Sequence, residues 1–178
     1  MAEDRRLQNV KASIAAHPDF PKPGILFRDI FPVLRNPPVF KQLLDIMTEY
    51  LQSQCTGVEI IVGLESRGFL FGPILAQNLN IGFVPIRKKG KLPGLTEKVT
   101  YQLEYGEDCF EVQQDSIKPG QKVVIVDDLM ATGGTMKAAF DLMETIKADV
   151  LGGLVVIELV DLKGRDKSNK PIKSLLEY

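Results

Sequence analysis

The sequence has 178 residues, of which 44% are hydrophobic and 25% are charged, and its formal net charge is −1. The length and hydrophobic content fit a single domain over residues 1–178. The near-neutral charge argues against nucleic acid as a partner. The absence of a long apolar run argues against a membrane protein. The charged N-terminus and the presence of only two cysteines, Cys55 and Cys109, predict a cytoplasmic protein with reduced thiols. The two cysteines are not spaced as metal ligands would be.

The N-terminal part of the chain predicts a helix and then an ordered loop. Residues 3–16 have an amphipathic pattern that ends at His17-Pro18, and His17 is interpreted as a turn residue without a catalytic role. The segment 19–30, D-F-P-K-P-G-I-L-F-R-D-I, contains two prolines and a glycine, which predicts a loop rather than a helix or strand. By itself it is either a strap over the core or a site for a planar ligand, because a Phe face can stack on a heterocycle.

The next segment predicts an anion site at the start of a helix. A helix at 38–54 leads to a buried strand at 58–63, and the following loop, L-E-S-R-G, places Arg67 just before a predicted helix at 69–80. An anion can bind at such a helix start, although an exposed Arg67 in a salt bridge is about equally compatible with these residues alone.

A third predicted strand, at 82–86, is followed by four cations within residues 87–91. A solvated charged segment is the usual explanation, but ligands of open α/β sheets bind at the C-terminal ends of parallel strands. Lys88 and Lys91 are therefore candidates to contact a phosphorylated substrate. Residues 92–106 then predict a long mobile hairpin, which is either a flap over an active site or an ordinary surface hairpin.

The most informative stretch is K-V-V-I-V-D-D-L-M-A-T-G-G-T, which begins at Lys122. Its β-branched run predicts a central strand of a parallel sheet that stops at Asp127 and Asp128. Small residues then lead into a predicted helix at 136–147, whose N-terminus attracts phosphate. The two carboxylates can accept hydrogen bonds from sugar hydroxyls or hold Mg²⁺ through water. The stretch indicates a site for a sugar 5′-phosphate, although acid pairs and Thr-Gly clusters also simply end strands and turn chains.

The alternation of strands and helices predicts a doubly wound α/β fold, with a mostly parallel central sheet flanked by helices and with right-handed crossovers. The remaining predicted strands cover 99–103, 110–113, 150–159 and, at an edge of the sheet, 172–176.

Four of these motifs resemble those of one enzyme family. The stretch V-V-I-V-D-D-L-M-A-T-G-G-T fits the ribose-5-phosphate loop of the type I phosphoribosyltransferases at every position, G-L-E-S-R-G is similar to their diphosphate loop, and L-E-Y-G resembles the end of their catalytic flap. The segment F-P-K-P-G-I-L-F-R-D-I resembles the N-terminal hood of the adenine phosphoribosyltransferases. The resemblance covers nearly the whole chain and implies the type I phosphoribosyltransferase fold, with a base-binding hood within residues 1–36 and a flexible flap at 88–107. Leu95 departs from the small polar residue or proline expected in that flap.

The resemblance also implies the substrate-binding residues. They are Leu26 and Phe27 for the base, with Arg28 nearby, Ser66 and Arg67 for the diphosphate, Asp127 and Asp128 for the ribose hydroxyls, and Ala131, Thr132, Gly133, Gly134 and Thr135 for the 5′-phosphate. Lys88 or Lys91, both of them candidates from their position at the end of the third strand, is expected to join Arg67 at the leaving group. Phe27 is expected to stack on the base while the backbone of Leu26 reads the purine edge. Some members of the family carry a cis peptide in the loop 65–68.

The implied reaction is the transfer of a 5-phosphoribosyl group from 5-phosphoribosyl-1-pyrophosphate to adenine, which gives AMP and pyrophosphate. Glu104 is expected to manage the proton of the base, Tyr105 to seal the site and Arg67 to neutralise the leaving group. Mg²⁺ is the implied cofactor, bound through the diphosphate, ribose hydroxyls and water rather than directly by the protein. A homodimer is the implied assembly. Another base (hypoxanthine, guanine, xanthine or orotate) and a non-enzymatic ligand-sensing regulator remain the alternatives.

Overall fold

The computed structural model describes residues 4–102 and 107–178. The residues up to Tyr50 and those from Leu51 onwards form two compact units, which are described separately. Within the described ranges, no helix combines the length and apolar character needed to cross a membrane.

The first unit contains short helices and one hairpin. Its elements are α1 (Arg5–Ser13), β1 (Ala15–Pro18), β2 (Leu26–Asp29), α2 (Phe31–Leu34) and α3 (Pro37–Gln54), of which α3 continues beyond the unit. The side chain of Asp4 caps α1 by accepting a hydrogen bond from the backbone N–H of Arg6 at 2.9 Å, which satisfies one of the donors left free at the helix start.

The hairpin corrects two predictions. Residues 26–29 form strand β2 instead of a loop, and His17 lies in strand β1 instead of a turn, directly opposite Phe27 in an antiparallel pair. Two four-residue strands separated by seven residues give too short a pattern to detect from sequence. Pro18 is tolerated because it is the last residue of its strand, where a missing N–H donor does little harm.

The second unit is built on a seven-stranded sheet with the order β5-β6-β4-β3-β7-β8-β9. The strands are β3 (Ile60–Leu64), β4 (Gly82–Lys88), β5 (Thr96–Gln102), β6 (Glu107–Gln113), β7 (Lys122–Met130), β8 (Asp149–Glu158) and β9 (Ile172–Glu177). Strands β4, β3, β7, β8 and β9 pair in parallel, whereas β5 and β6 form an antiparallel hairpin at one edge. The mostly parallel sheet and the edge position of β9 confirm those predictions.

The helices of this unit are α4 (Gly72–Leu79) and α5 (Gly134–Thr145). A 3₁₀ turn at Arg67–Leu70 precedes α4, so the predicted helix begins later than expected. Side chains of α5 such as Phe140 and Met143 form one apolar cluster with side chains of the central strands, including Val62 and Ile125. This cluster fixes the start of α5 beside the C-terminal end of β7.

Strand β7 does not stop at its two acids, as predicted, but continues to Met130. Asp127 still pairs with Val155 of β8, and Met130 pairs with Glu158. The backbone hydrogen bonds between β7 and β8 do not depend on the charge of the side chains. The prediction ended the strand too early because it took the two acids as its end. The acids therefore sit on a regular strand, which holds them more firmly than a loop would.

Candidate active site

The acidic pair lies where β7 passes the C-terminal edge of the sheet. Asp128 is buried, with 4% of its surface exposed, and its backbone N–H donates to Oδ1 of Asp127 at 2.9 Å. Burial, and then the neighbouring charge of Asp128, raises the pKa of the Asp127 carboxyl well above its ordinary value. Two carboxylates held this close favour a ligand that shares its hydroxyl hydrogens or cationic charge between them.

The glycine-rich loop connects β7 to α5 and presents the helix N-terminus. Gly133 is the N-cap, with φ at 77°, and a Cβ atom there would lie 2.1 Å from the carbonyl oxygen of Gly164. Only glycine fits, since both the left-handed backbone and the close contact exclude a side chain. The loop is thus packed against the 3₁₀ turn at Gly164–Lys167, with the first backbone N–H groups of α5 available to an anion.

The loop after β3 brings a cation to the acidic pair. The peptide bond between Glu65 and Ser66 is cis, and Arg67 begins the 3₁₀ turn that follows. The Nε of Arg67 donates to Oδ2 of Asp128 at 2.5 Å, which joins the loop after β3 to strand β7.

These three segments enclose one cavity of about 330 Å³. Its lining residues are Glu65, Ser66, Arg67, Asp127, Asp128, Leu129, Met130, Ala131, Thr132, Gly133, Gly134, Thr135 and Met136. The structure therefore gathers the predicted ribose and 5′-phosphate residues, together with Ser66 and Arg67 of the predicted diphosphate residues, around a single volume. Its wall combines the backbone at the start of α5, the guanidinium of Arg67 and the carboxylates of Asp127 and Asp128.

Lys88, at the end of β4, and Lys91, just after it, are both held by acids of strand β6. Among the described residues that line the cavity, neither Lys88 nor Lys91 appears. The ammonium of Lys88 lies 2.9 Å from Oδ2 of Asp108, and the backbone N–H of Lys91 donates to Oε1 of Glu111 at 2.8 Å. The segment is a folded turn tied to strand β6, in contrast to a freely solvated charged run.

Two glutamates matter here although no sequence prediction included them. Glu65 lines the cavity, accepts a hydrogen bond from Arg87 at 2.6 Å through Oε1 and another from the backbone of Lys88 at 3.0 Å through Oε2. Glu111 is 1% exposed and accepts from the backbone N–H groups of Lys91 and Leu92. Glu65 could have been predicted as a site residue because it lies inside the motif that resembles the diphosphate loop. Nothing in the sequence around Glu111 indicates its role.

The first unit contains a second cavity of about 600 Å³, which Phe27 lines but which the other two predicted base-binding residues, Leu26 and Arg28, do not. Phe27 lines it and meets Phe20 edge to face, with ring centroids 5.2 Å apart. Leu26 is half exposed and Arg28 partly so. The wall is mainly aromatic and apolar, which suits a planar heterocycle.

Glu104 and Tyr105, the expected catalytic residues of the flap, lie outside the described residues. The described part of the flap is strand β5 and the turn before it, where Leu95 is 78% exposed. Among residues 4–102 and 107–178, no group of three or more His, Cys, Asp and Glu side chains is arranged to hold a metal ion.

The sequence matches a known family over most of its length. The phosphoribosyl transferase domain model aligns with residues 32–177. The chain belongs to the phosphoribosyltransferase family. The fold agrees with the type I phosphoribosyltransferase architecture implied by the sequence motifs.

Full-length relatives of this phosphoribosyltransferase carry a more specific name. Adenine phosphoribosyltransferase from Drosophila pseudoobscura pseudoobscura is 53% identical over 99% of this chain and 97% of its own length. The Homo sapiens enzyme of the same name is 50% identical over 98% of each chain. The crystal structure of the Saccharomyces cerevisiae adenine phosphoribosyltransferase, in complex with D-2,5-dideoxy-2,5-imino-altritol 1,6-bisphosphate and adenine, superposes with a TM-score of 0.92 at 48% identity, covering 96% of this chain and 98% of the yeast chain.

Proposed function

We propose that this phosphoribosyltransferase transfers the 5-phosphoribosyl group of 5-phosphoribosyl-1-pyrophosphate to adenine, giving AMP and pyrophosphate. The observation that carries the proposal is the single cavity that joins the Asp127–Asp128 pair, the Gly133 loop and Arg67. A sugar that bears a 5′-phosphate, a diol and a 1-diphosphate needs these three kinds of partner within one site. The full-length identity to adenine phosphoribosyltransferases supports the choice of base.

The 5′-phosphate is assigned to residues 131–135 at the N-terminus of α5. Free backbone N–H groups and the positive end of the helix dipole favour an anion there. Asp127 and Asp128 are assigned to the ribose hydroxyls, as hydrogen-bond acceptors. Binding energy from these distant groups fixes the position of C1′, the reacting carbon, and so contributes to catalysis without touching the bond that breaks.

The diphosphate is assigned to Ser66 and Arg67, with Lys88 from the end of β4 and Lys91 from the turn that follows. As the bond from C1′ to the pyrophosphate oxygen breaks, negative charge grows on the leaving group while C1′ gains cationic character. Arg67 and the two lysines stabilise the first of these changes, and the acidic pair lies near the second.

The base is assigned to the hood, where Phe27 stacks on it, the backbone of Leu26 reads its edge and Arg28 lies close by. The ring nitrogen of adenine forms the new bond to C1′ and must lose its proton. The resemblance to the family assigns that proton to Glu104, which accepts it directly or polarises N7, and assigns Tyr105 to closing the site. Closure of the flap excludes water, which would otherwise hydrolyse the sugar diphosphate.

Mg²⁺ is included in the proposal because the Asp127–Asp128 pair, which lines the cavity, offers carboxylate oxygens, the ligand type that this ion prefers. The two acids would hold it through water and through the oxygens of the substrate. The ion would supply positive charge that neutralises the diphosphate. We also assign the protein to the cytoplasm, on its charged N-terminus and its two cysteines. A homodimer is assigned on the family resemblance alone, and light scattering of the purified chain tests it.

A panel of bases tests the function. Purified protein would be incubated with 5-phosphoribosyl-1-pyrophosphate, Mg²⁺ and, in turn, adenine, hypoxanthine, guanine, xanthine or orotate, and nucleotide formation followed. AMP formed from adenine alone is the expected result. Turnover of a different base would overturn the assignment of the hood, and tight binding of the sugar diphosphate with no turnover of any base would favour a ligand-sensing regulator.

A further inference from the structure

Lys88 and Asp108 form an ion pair where strand β4 meets the β5–β6 hairpin. Their Nζ and Oδ2 atoms are 2.9 Å apart, with 59% of the Lys88 side chain and 20% of the Asp108 side chain exposed. Lys88 is the last residue of β4 and Asp108 is the second residue of β6. The proposed function gives this ammonium a second anionic partner, the diphosphate.

We propose that Asp108 is a positioning residue that competes with the diphosphate for the ammonium of Lys88. The inference rests on the proposed function, because the diphosphate is the competing ligand. Binding of the diphosphate replaces one ion pair by another, so the net gain from Lys88 is smaller than for an unpaired lysine. The same exchange helps the pyrophosphate product to leave, since Asp108 recaptures the ammonium.

The backbone of Lys88 is fixed close to the candidate site, so only its side chain has to move. Its N–H donates to Oε2 of Glu65 at 3.0 Å, and Glu65 lines the cavity that holds Arg67. The ammonium sits on a flexible four-carbon stem, which can change direction without a shift of the strand. Lys88 is therefore within reach of the diphosphate region from a fixed anchor point.

Asp108 keeps hydrogen-bond donors when Lys88 leaves it. The backbone N–H of Cys109 donates to Oδ1 at 2.8 Å, and the hydroxyl of Tyr101 lies 3.5 Å from Oδ2. Burial, with the charge of Asp108, raises the pKa of Tyr101 to about 12, so this hydroxyl remains protonated and able to donate. The ring of Tyr101 packs on Phe110 with centroids 4.8 Å apart, which fixes the hydroxyl. The carboxylate is thus supported in both arrangements of Lys88.

The ion pair between Lys88 and Asp108 is weak enough for Lys88 to exchange reversibly between Asp108 and the diphosphate. Ion pairs with this degree of exposure change an equilibrium constant by about two- to fivefold. The diphosphate carries several negative charges and so competes successfully when it is bound. A much stronger, buried pair would not release the lysine.

Affinity for pyrophosphate separates this role from a purely structural one. Asp108→Asn keeps the shape of the side chain and removes its charge. The matched control is Asp115→Asn, which removes one exposed acid from the turn after β6. Isothermal titration of Mg²⁺-pyrophosphate into the full chain should show about two- to fivefold tighter binding for Asp108→Asn and no change for the control. Asp108→Ser serves as a second variant if the first is poorly folded in a thermal melt.

A double-mutant cycle with Lys88→Met completes the test, because this change removes the ammonium for which the two anions compete. The gain from Asp108→Asn should vanish in the Lys88→Met background. Unchanged or weaker pyrophosphate binding by Asp108→Asn would overturn the proposal, as would a gain that persists without Lys88. Formation of AMP is assayed separately on the unmodified chain, and its absence would reject the proposed function irrespective of the titrations.

Discussion

Arg67 and Asp128 link the two loops of the candidate site, since Nε of Arg67 donates to Oδ2 of Asp128 at 2.5 Å. The Asp128 side chain is 6% exposed and the Arg67 side chain 39%. A cation assigned to the diphosphate and an acid assigned to the ribose therefore form an ion pair with each other in the cavity wall. A substrate that carries both a diphosphate and a diol offers a new partner to each of them.

Replacement of Asp128 should separate ribose recognition from diphosphate recognition. In Asp128→Asn, AMP and 5-phosphoribosyl-1-pyrophosphate lose a charged acceptor for their hydroxyls, so we expect both to bind about tenfold more weakly, equivalent to about 1.4 kcal/mol. Pyrophosphate has no hydroxyls, and Arg67 is released to bind it, so its affinity should not fall. Titration of the three ligands measures the difference, with Asp115→Asn as the charge control. Equal losses for all three would mean that Asp128 only holds the loop in place.

The raised pKa of Asp127 predicts that this acid destabilises the fold at neutral pH. A carboxyl whose folded-state pKa lies above the unfolded value contributes stability below the unfolded pKa and loses it as pH rises through the folded pKa. Asn does not ionise, so Asp127→Asn does not lose stability as the pH rises. We therefore expect it to melt at a higher temperature than the unmodified chain near pH 7.5, by about 2–4 °C for each 1 kcal/mol, and to lose binding of the ribose ligands.

The pH dependence of the melting temperature distinguishes the removal of the Asp127 charge from a general improvement in packing. Near pH 4, where Asp127 is protonated in the folded protein, the melting temperatures of Asp127→Asn and the unmodified chain should converge. Asp149→Asn, an exposed acid at the start of β8, serves as the control and should show no such divergence at neutral pH. An equal gain at both pH values, or a lower melting temperature near pH 7.5, would contradict the explanation.

Much of the site was predictable because its chemistry lies in short contiguous motifs. The stretch from Val123 to Thr135 contains the strand, the acids and the loop assigned to the 5′-phosphate, so its sequence alone indicated the strand and the glycine-rich loop, although not where the strand ends. Arg67 lies 61 residues before Asp128 and was predicted from its position at a helix start and from the resemblance of its loop to the diphosphate loop. Its contact with Asp128 was not predicted and arises because β3 and β7 pair in parallel, so that their C-terminal ends meet.

Contacts between distant residues were not predictable in the same way. The pairing of Lys88 with Asp108 depends on β4 and β6 running antiparallel, which no local pattern of charges reveals. The hairpin of β1 and β2 was missed because each strand has four residues and its pairing is decided by the partner strand. Glu111 was missed because a buried acid looks like any other strand glutamate until its backbone donors are seen.

Glu104 provides a test of the chemistry assigned to the flap. In Glu104→Gln the side chain keeps its size but cannot accept the proton of the base, so kcat should fall by about 10²–10⁴-fold. Binding of 5-phosphoribosyl-1-pyrophosphate should change by less than about twofold, because the residue acts on the base. Glu97→Gln, which changes an acid of strand β5 within the predicted flap, should retain normal kcat. Near-normal turnover by Glu104→Gln would remove the proton role.

A substitution at Gly133 tests whether the shape of the loop assigned to the 5′-phosphate determines substrate affinity. In Gly133→Ala the new Cβ would lie 2.1 Å from the carbonyl oxygen of Gly164, so the loop must move away from the turn at 164–167. We expect a rise of about tenfold or more in KM for 5-phosphoribosyl-1-pyrophosphate, because misplaced backbone N–H groups no longer face the 5′-phosphate.

Gly120→Ala provides the matched control for this change. Gly120 has φ at 82°, close to the value at Gly133, but a Cβ atom there has nothing within 4 Å. Both variants incur the left-handed backbone strain of about 1–2 kcal/mol, whereas only Gly133→Ala adds the steric clash. Thermal melts and KM measured on both variants therefore isolate the clash. If both lose the same stability and neither changes KM, the close packing of Gly133 on Gly164 has no part in holding the phosphate.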